Sequence, residues 1–451
     1  MFPLPLTCFE EYMLREDCPA YPMLGFFRLR FTGFLDREAF EESVDRAVER
    51  HALLRATIAQ TNRKRLHWED HPDWRPVVQW QPQTNEYGFP NADNGDLAET
   101  SLTRIWVVER ESGHDVFLQI HHCCADALGA SMVFEDLLVG YAANLRPASE
   151  PIELPALKAD LLLDRGAPGQ TVWKFLKTFH QRLLGFGGAH KFLLHRPTPL
   201  MPTKDPPDRT TPPTQFPTPV IVTLTQDETK ALLATAKSLG VTVNDLLLRD
   251  LFLAMDVWQE QHVTERDGDW YRIYVPVNVR TAAERSMPMA NSMSLFFLEQ
   301  KAGNLPTKDV LLKKLHDHML RATKRQLKYT FLITLGLART LGNGIATTTS
   351  ADKCFSTTCL SNLGPVFDRT PLPRRDGKIV AGNVELEAVD FVIPLRRYMN
   401  AAFCVYTYAG RLRILMHTDP RVLSDEQTRT LLETFTDQIR ETIAPNLSAA
   451  D

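Results

Sequence analysis

Residues 117–129 read Phe-Leu-Gln-Ile-His-His-Cys-Cys-Ala-Asp-Ala-Leu-Gly, and no other stretch constrains this chain as strongly. An apolar run of strand character stops at His121-His122, and Asp126 follows four residues after the second histidine. A histidine held at a strand end, with its geometry set locally, can act as a general base near neutral pH. Such chemistry requires no serine, cysteine or metal partner.

The 451 residues suffice for two domains or one bilobed unit, and 44% hydrophobic with 24% charged residues is an ordinary globular composition. A formal net charge of -4 argues against nucleic acid as a partner. The start, Met1 to Glu11, lacks the basic and long apolar regions of a secretory signal. No apolar run approaches the length of about 20 residues that spans a bilayer. Seven cysteines, at 8, 18, 123, 124, 354, 359 and 404, are odd in number and scattered, which leads us to expect reduced thiols in a cytoplasmic protein.

The first 150 residues mix strand and helix patterns. Phe26–Phe31, Ile105–Val108 and Val116–His121 read as strands. Asp36 is an N-cap for a helix to about His51, with Phe40, Val44, Ala47 and Val48 on its apolar face, and Ser131–Ala142 reads as a second helix. Nine prolines fall within 196–219, which excludes a regular helix or central strand and predicts an extended crossover between two halves. In the second half, Val220–Leu224, Arg272–Arg280, Thr357–Leu363, Phe391–Pro394, Ala401–Tyr408 and Leu412–His417 read as strands. Asp227 is expected to cap a helix to Leu239; Leu246–Trp258 and Ser424–Ile443 are further helices, and Phe331–Leu341 reads as a core helix rather than as the lining of an acyl channel.

His121-His122-Cys-Cys-Ala-Asp126 resembles the HHxxxDG signature of the condensation-domain superfamily, which shares its fold with chloramphenicol acetyltransferase and includes alcohol and polyketide acyltransferases. Four further blocks, in the order found in that superfamily, extend the resemblance over almost the whole chain. They are Phe31-Thr-Gly-Phe-Leu-Asp36 with Ala47-Val-Glu-Arg-His51 and Leu53-Leu-Arg55, then Val241-Thr-Val-Asn-Asp245, Val275-Pro-Val-Asn-Val-Arg280 and Ser361-Asn-Leu-Gly364. The resemblance implies an α/β (α+β) protein of two chloramphenicol-acetyltransferase-like lobes with mixed sheets and a central tunnel. The lobes would be 1–160 and 220–451, joined by a helical and Pro-rich crossover at 161–219.

The implied activity is acyl transfer from a thioester to a hydroxyl or amine, with His122 as general base. Asp126 is implied to pair with Arg280 and hold the histidine loop, and His121, facing the other way because strand neighbours alternate, to pack or hydrogen-bond. Backbone amides near the end of the motif would stabilise the oxyanion. Ser361 and Asn362 are expected to line the acceptor side. No bound cofactor or metal is implied; acyl-CoA or a phosphopantetheinyl thioester is the co-substrate. The partners would be a small-molecule acceptor and an acyl or peptidyl carrier protein, with the chain itself a monomer. A stand-alone peptide-bond condensation enzyme and a non-catalytic binding module are the alternatives.

The chain departs from the pattern twice. Ala127 replaces the motif glycine and is expected to crowd the donor thioester or shift the loop. Asp390-Phe-Val-Ile-Pro stands where plant-type relatives carry Asp-Phe-Gly-Trp-Gly, which argues against that branch. Other readings of the same residues are weaker. Adjacent His121, His122, Cys123 and Cys124 rarely converge on one tetrahedral ion, and a cysteine next to a histidine in sequence seldom has the geometry to be activated by it. The apolar, basic stretch from Trp173 to Phe186 reads as a helix over the crossover or as a weak membrane-surface contact.

Overall fold

The computed structural model describes residues 1–61, 65–82, 88–146, 152–166, 192, 194–202, 207–324, 327–340, 344–349 and 353–447. The stretch from Trp173 to Phe186 lies outside the described residues. In chain order the first elements are β1 (Leu4–Pro5), α1 (Cys8–Glu16), β2 (Leu24–Thr32), α2 (Arg37–Arg50), β3 (Ala56–Gln60), β4 (Leu66–Asp70), β5 (Val78–Gln81), β6 (Arg104–Arg110), β7 (Gly113–His121) and α3 (Ala127–Asn144). After the crossover come β8 (Pro219–Thr223), α4 (Gln226–Ser238), α5 (Val243–His262), β9 (Trp270–Asn278), β10 (Met293–Lys301), α6 (Lys308–Lys324), α7 (Thr330–Thr340) and α8 (Gly344–Thr349). The last are β11 (Thr358–Pro365), β12 (Arg374–Arg375), β13 (Lys378–Ala381), β14 (Val384–Val392), β15 (Ala401–Tyr408), β16 (Arg411–Thr418) and α9 (Asp425–Leu447).

Two mixed sheets carry the architecture. One has six strands in the order β10-β9-β11-β15-β16-β8, with β11 parallel to both its neighbours. The other has seven, in the order β12-β13-β14-β2-β7-β6-β5. Strand β7 lies inside this second sheet and is buried at every residue, which is why its sequence reads as a nearly continuous apolar run rather than an alternating one.

Sheet membership does not follow chain order. Strands β12 to β14 leave the C-terminal half and complete the N-terminal sheet, with β14 antiparallel to β2. The strand expected at Phe391–Pro394 within the second half is therefore the end of β14, paired across the lobes. Local pattern cannot reveal this, because either sheet would bury the same apolar residues. Two other expectations are corrected. Thr225, not Asp227, caps α4, because its hydroxyl accepts from the Glu228 amide while the Glu228 side chain reaches back to the Thr225 amide. Helix α7 is not a core helix: of its side chains only Leu335 is buried, Leu337 is 55% exposed, and Phe331 packs edge-on to Tyr12 of α1.

The lobes share apolar packing and a buried charge seam. Cys404, Tyr406 and Leu415 of the six-stranded sheet join the N-terminal core, and a smaller cluster joins Phe9, Tyr12 and Met13 of α1 to Tyr274, Cys359 and Ala402. Asp390 sits fully buried opposite Arg28 in the β14–β2 register. Its carboxylate lies 2.5 Å from Arg28 Nη2 and 2.6 Å from Arg413 Nη2 of β16. Burial raises the Asp390 pKa, but the two guanidiniums outweigh it and hold the carboxyl below its ordinary range. Asp390→Ala leaves two buried cations facing each other, so unfolding free energy in urea should fall by about 3–5 kcal/mol; a loss below about 1 kcal/mol would remove the seam from the account of lobe cohesion.

Candidate active site

His122 directly follows β7, and its conformation is held at three atoms. Its amide donates to Met23 O at 2.7 Å. Its carbonyl accepts from Asn291 Nδ2 at 2.7 Å. Its ring Nδ1 lies 2.7 Å from Ala125 O. A carbonyl only accepts, so Nδ1 carries the proton and Nε2 is the nitrogen with the free lone pair. Burial lowers the His122 pKa; the Ala125 hydrogen bond and the charge of Asp126 oppose this, and Arg396 adds to the lowering. The net shift is downward, so the ring is neutral and basic at Nε2 at physiological pH.

His121 turns away into the core, where its Nδ1 accepts from the Cys123 amide at 3.1 Å and its Nε2 faces Asp17 at 3.6 Å. Cys123 donates its thiol to Glu10 O at 3.1 Å. Burial pushes the thiols of Cys123 and Cys124 well above their ordinary value, the opposite of what a nucleophilic thiolate needs.

Asp126 joins three parts of the chain. It is the N-cap of α3, with Oδ1 accepting from the Gly129 amide at 2.8 Å. Its Oδ2 lies 2.7 Å from Arg280 Nη1 and accepts from the Ser292 amide at 2.8 Å. Arg280 also donates to Ala290 O at 2.7 Å. Residues 279–292, the connection from β9 to β10, thus pass beneath the histidine loop. His51, a residue of the N-terminal block, pins the same connection: its Nδ1 accepts from the Met289 amide at 2.9 Å, so its Nε2 carries the proton and donates to Asp136 at 2.9 Å.

Ala127 is the first residue of α3 and is half-buried with helical backbone, so its methyl meets no conformational strain. The expected shift of the loop is therefore not needed to accommodate the methyl. Close approach occurs instead at Gly129, where an added Cβ would lie 2.6 Å from Ala290 O and 3.2 Å from Ala290 N. Motif spacing says nothing about what packs over a helix start, so the sequence does not mark Gly129.

Ser361 and Asn362 are split by the strand. Ser361 is buried opposite Cys404 in the β11–β15 pairing. Asn362 Oδ1 accepts from the Gly364 amide at 2.9 Å and lines a cavity of 540 Å³. Asn244, Asn278, Val275, Phe296 and Met319 also line it. Neither Ser361 nor Asn362 hydrogen-bonds His122 among the described residues. The sequence reading gave no role to Asn291 or Met23, and to His51 only a place in the N-terminal block; the β9–β10 connection, the α1–β2 turn and the end of α2 supply these three residues.

No family model and no curated protein matches the chain. Solved structures do. The first condensation domain of the calcium-dependent antibiotic synthetase, in complex with a substrate analogue, matches with a TM-score of 0.70 at 13% identity, over 98% of this chain and 96% of that one. The chain has the condensation-domain fold. The epimerization domain from the third module of tyrocidine synthetase B matches with a TM-score of 0.63 at 17% identity, over 99% and 98% of the two chains. A variant of the starter condensation domain of rhizomide synthetase, in complex with C8-CoA, matches with a TM-score of 0.66 at 14% identity, over 98% and 94%. The likeness spans nearly the full length of each matched chain.

Three substitutions test the geometry. Asp126→Ala removes a helix cap and leaves Arg280 unpaired in a partly buried site, so unfolding free energy should drop by about 3–5 kcal/mol in chemical denaturation. An unchanged midpoint would separate Asp126 from the stability of the fold. Gly129→Ala should lower the melting temperature, because the clash is with backbone that must move, whereas Ala127→Gly should cost only about 0.5–1 kcal/mol of helix propensity. Equal melting temperatures for the two variants would count against the close approach at Gly129.

Proposed function

We propose that this protein is an acyltransferase that moves an acyl group from a thioester to a hydroxyl or amine acceptor, with His122 as general base. The observation that carries the reading is the ring orientation of His122: Nδ1 spends its proton on Ala125 O, and the bare Nε2 belongs to a ring kept neutral by burial. Nε2 takes the acceptor proton as the oxygen or nitrogen attacks the thioester carbonyl. The tetrahedral intermediate collapses by breaking the carbon–sulfur bond, and the departing thiolate recovers the proton from Nε2. The first-turn amides of α3, at Ala127 and Leu128, lie at the positive end of an 18-residue helix and are the groups we assign to the oxyanion.

The cavity bounded by β9, β10, β11 and the start of α5, which Asn362 lines, is the site we assign to the acceptor. Its wall residue Asn278 accepts from the Arg280 amide at 3.0 Å, and Arg280 in turn holds Asp126. The cavity wall and the histidine loop are therefore mechanically joined. The donor is acyl-CoA or a phosphopantetheinyl thioester on a separate carrier protein. Two observations support this class: the fold shared with synthetase condensation domains, and a C8-CoA complex of one of them.

The test is thiol release from acyl-CoAs and loaded carrier proteins mixed with alcohol and amine acceptors. Wild type should show acceptor-dependent release. His122→Ala should lose it by about 100- to 10000-fold while keeping its melting temperature. A fully active His122→Ala enzyme would sink the mechanism. Because protonation of Nε2 removes the base, kcat/KM should fall on the acid side with a midpoint below 6.5, the ordinary histidine value. A midpoint at or above 6.5 would show that another group controls the rate.

A further inference from the structure

The cavity of 540 Å³ opens where two strands part. Strand β11 pairs with β9 only at Thr358 and Cys359. Beyond that point Val275 to Asn278 of β9 and Asn362 to Gly364 of β11 form two of the cavity walls. Both asparagines use their oxygens on backbone amides. Asn362 Oδ1 accepts from the Gly364 amide at 2.9 Å, and Asn278 Oδ1 accepts from the Arg280 amide at 3.0 Å. A backbone N–H can only donate, so each oxygen is identified and the other atom is Nδ2. Neither Nδ2 has a hydrogen-bond partner among the described residues. Asn278 is exposed, and Asn362 Nδ2 is not buried, so a ligand can reach both. A third amide, Asn244 at the start of α5, makes no side-chain hydrogen bond among the described residues and can turn either end to a ligand.

The charge of the wall has one sign. Lys328, in the turn Leu327–Tyr329 between α6 and α7, is the one charged side chain among the described residues that line the cavity. Its Nζ lies 5.2 Å from the centre of the Tyr329 ring. Asp245, next to Asn244, is turned away: its side chain is 2% exposed and is bonded to Thr242 and, at 2.9 Å, to His316. Residues 318–350 hold five lysines and arginines and no acidic residue, so no carboxylate comes from that segment to neutralise Lys328. Arg321 and Lys324 are exposed in the last turn of α6, where Ala322 and Thr323 line the cavity. A basic last turn complements the negative end of a helix, which by itself accounts for Arg321 and Lys324. It does not account for Lys328, which lies beyond the helix and in the cavity wall.

Amide donors and an ammonium, with no carboxylate beside them, suit an anion. One ammonium balances one charge, which fits a carboxylate; a phosphate dianion calls for more positive charge. Val275, Phe296, Met319 and Leu363 make the rest of the wall apolar. We propose that this cavity takes an acceptor with an apolar body and a carboxylate, with Lys328 as the counter-ion and the Nδ2 groups of Asn278 and Asn362 donating to the acceptor's oxygens. The acceptor class is then a hydroxy acid or an amino acid. The proposal rests on the assignment of this cavity to the acceptor.

The experiment measures binding to the full chain by calorimetry, with no donor present. The probes are phenyllactate and 6-hydroxyhexanoate, the primary amide of each, and the analogues in which a phosphate monoester replaces the carboxylate. For wild type the acids should bind about 10-fold more tightly than the amides. Added salt should weaken the acids and leave the amides unchanged. Lys328→Met should erase the preference, and Lys328→Arg should keep it. Asn362→Asp retains an oxygen for the Gly364 amide but replaces the donor with a second acceptor, so it should reverse the preference. The salt comparison on wild type serves if a variant does not fold. Equal affinity for acid and amide on wild type, a preference that survives in Lys328→Met, tighter binding of the phosphates, or no binding of either acid overturns the inference and leaves the acyltransferase reading to its own test of thiol release. Acid-selective binding with no transfer from any thioester keeps the carboxylate site and overturns the acyltransferase reading instead.

Discussion

The carboxylate of Asp126 is the junction on which the candidate site depends. One oxygen ends a helix by bonding the Gly129 amide, and the other meets a guanidinium and an amide from the opposite half of the chain. Each interaction needs the others. The Arg280 pair is nearly buried, and such a pair is tolerable only when its remaining hydrogen-bonding capacity is met; Ala290 O and the Ser292 amide meet it. The helix cap in turn keeps the loop from His122 to Asp126 short and fixed. The distance between the base and the β9–β10 connection is thus set by charge and hydrogen bonds rather than by apolar contact, which is less directional.

The same pattern recurs along the junction of the lobes. Glu10 is fully buried and bonds Arg165 at 2.6 and 2.7 Å, while its backbone carbonyl accepts the Cys123 thiol. Ser292 donates to Arg165 O at 2.6 Å. Asp390 takes Arg28 and Arg413, and within the N-terminal lobe Asp136 takes His51 and Arg50. Buried pairs of this kind add little net stability compared with apolar packing, but they strongly penalise any arrangement that separates the partners. They fit a fold in which three strands from the second half must enter the first sheet in one register: a one-residue slip of β14 against β2 would move Asp390 to the wrong face.

His122 shows how backbone geometry sets side-chain chemistry. The residue needs no carboxylate to orient its ring, because a carbonyl three residues on, at Ala125, does so. Asp126, adjacent in sequence, contributes charge at a distance and not a hydrogen bond to the ring. This arrangement leaves the lone pair on Nε2, and the surrounding protein keeps it unprotonated. Ala127 is compatible with the same geometry because the helix has already begun there.

Local spacing and propensity were enough to place the strand that delivers His122 and the helix that Asp36 caps, because these survive in any fold that satisfies them. The condensation-type architecture and the partnership of Asp126 with Arg280 came from the resemblance of the motif and its flanking blocks to a known family, not from spacing. Tertiary structure alone decided which sheet receives β14, that Gly129 rather than residue 127 is the point of close approach, that Ser361 and Asn362 face different surroundings, and that Asn291, His51 and Met23 surround the motif. Each of these depends on contacts between segments far apart in sequence, where the chain's path determines what meets what, and no local periodicity records that path.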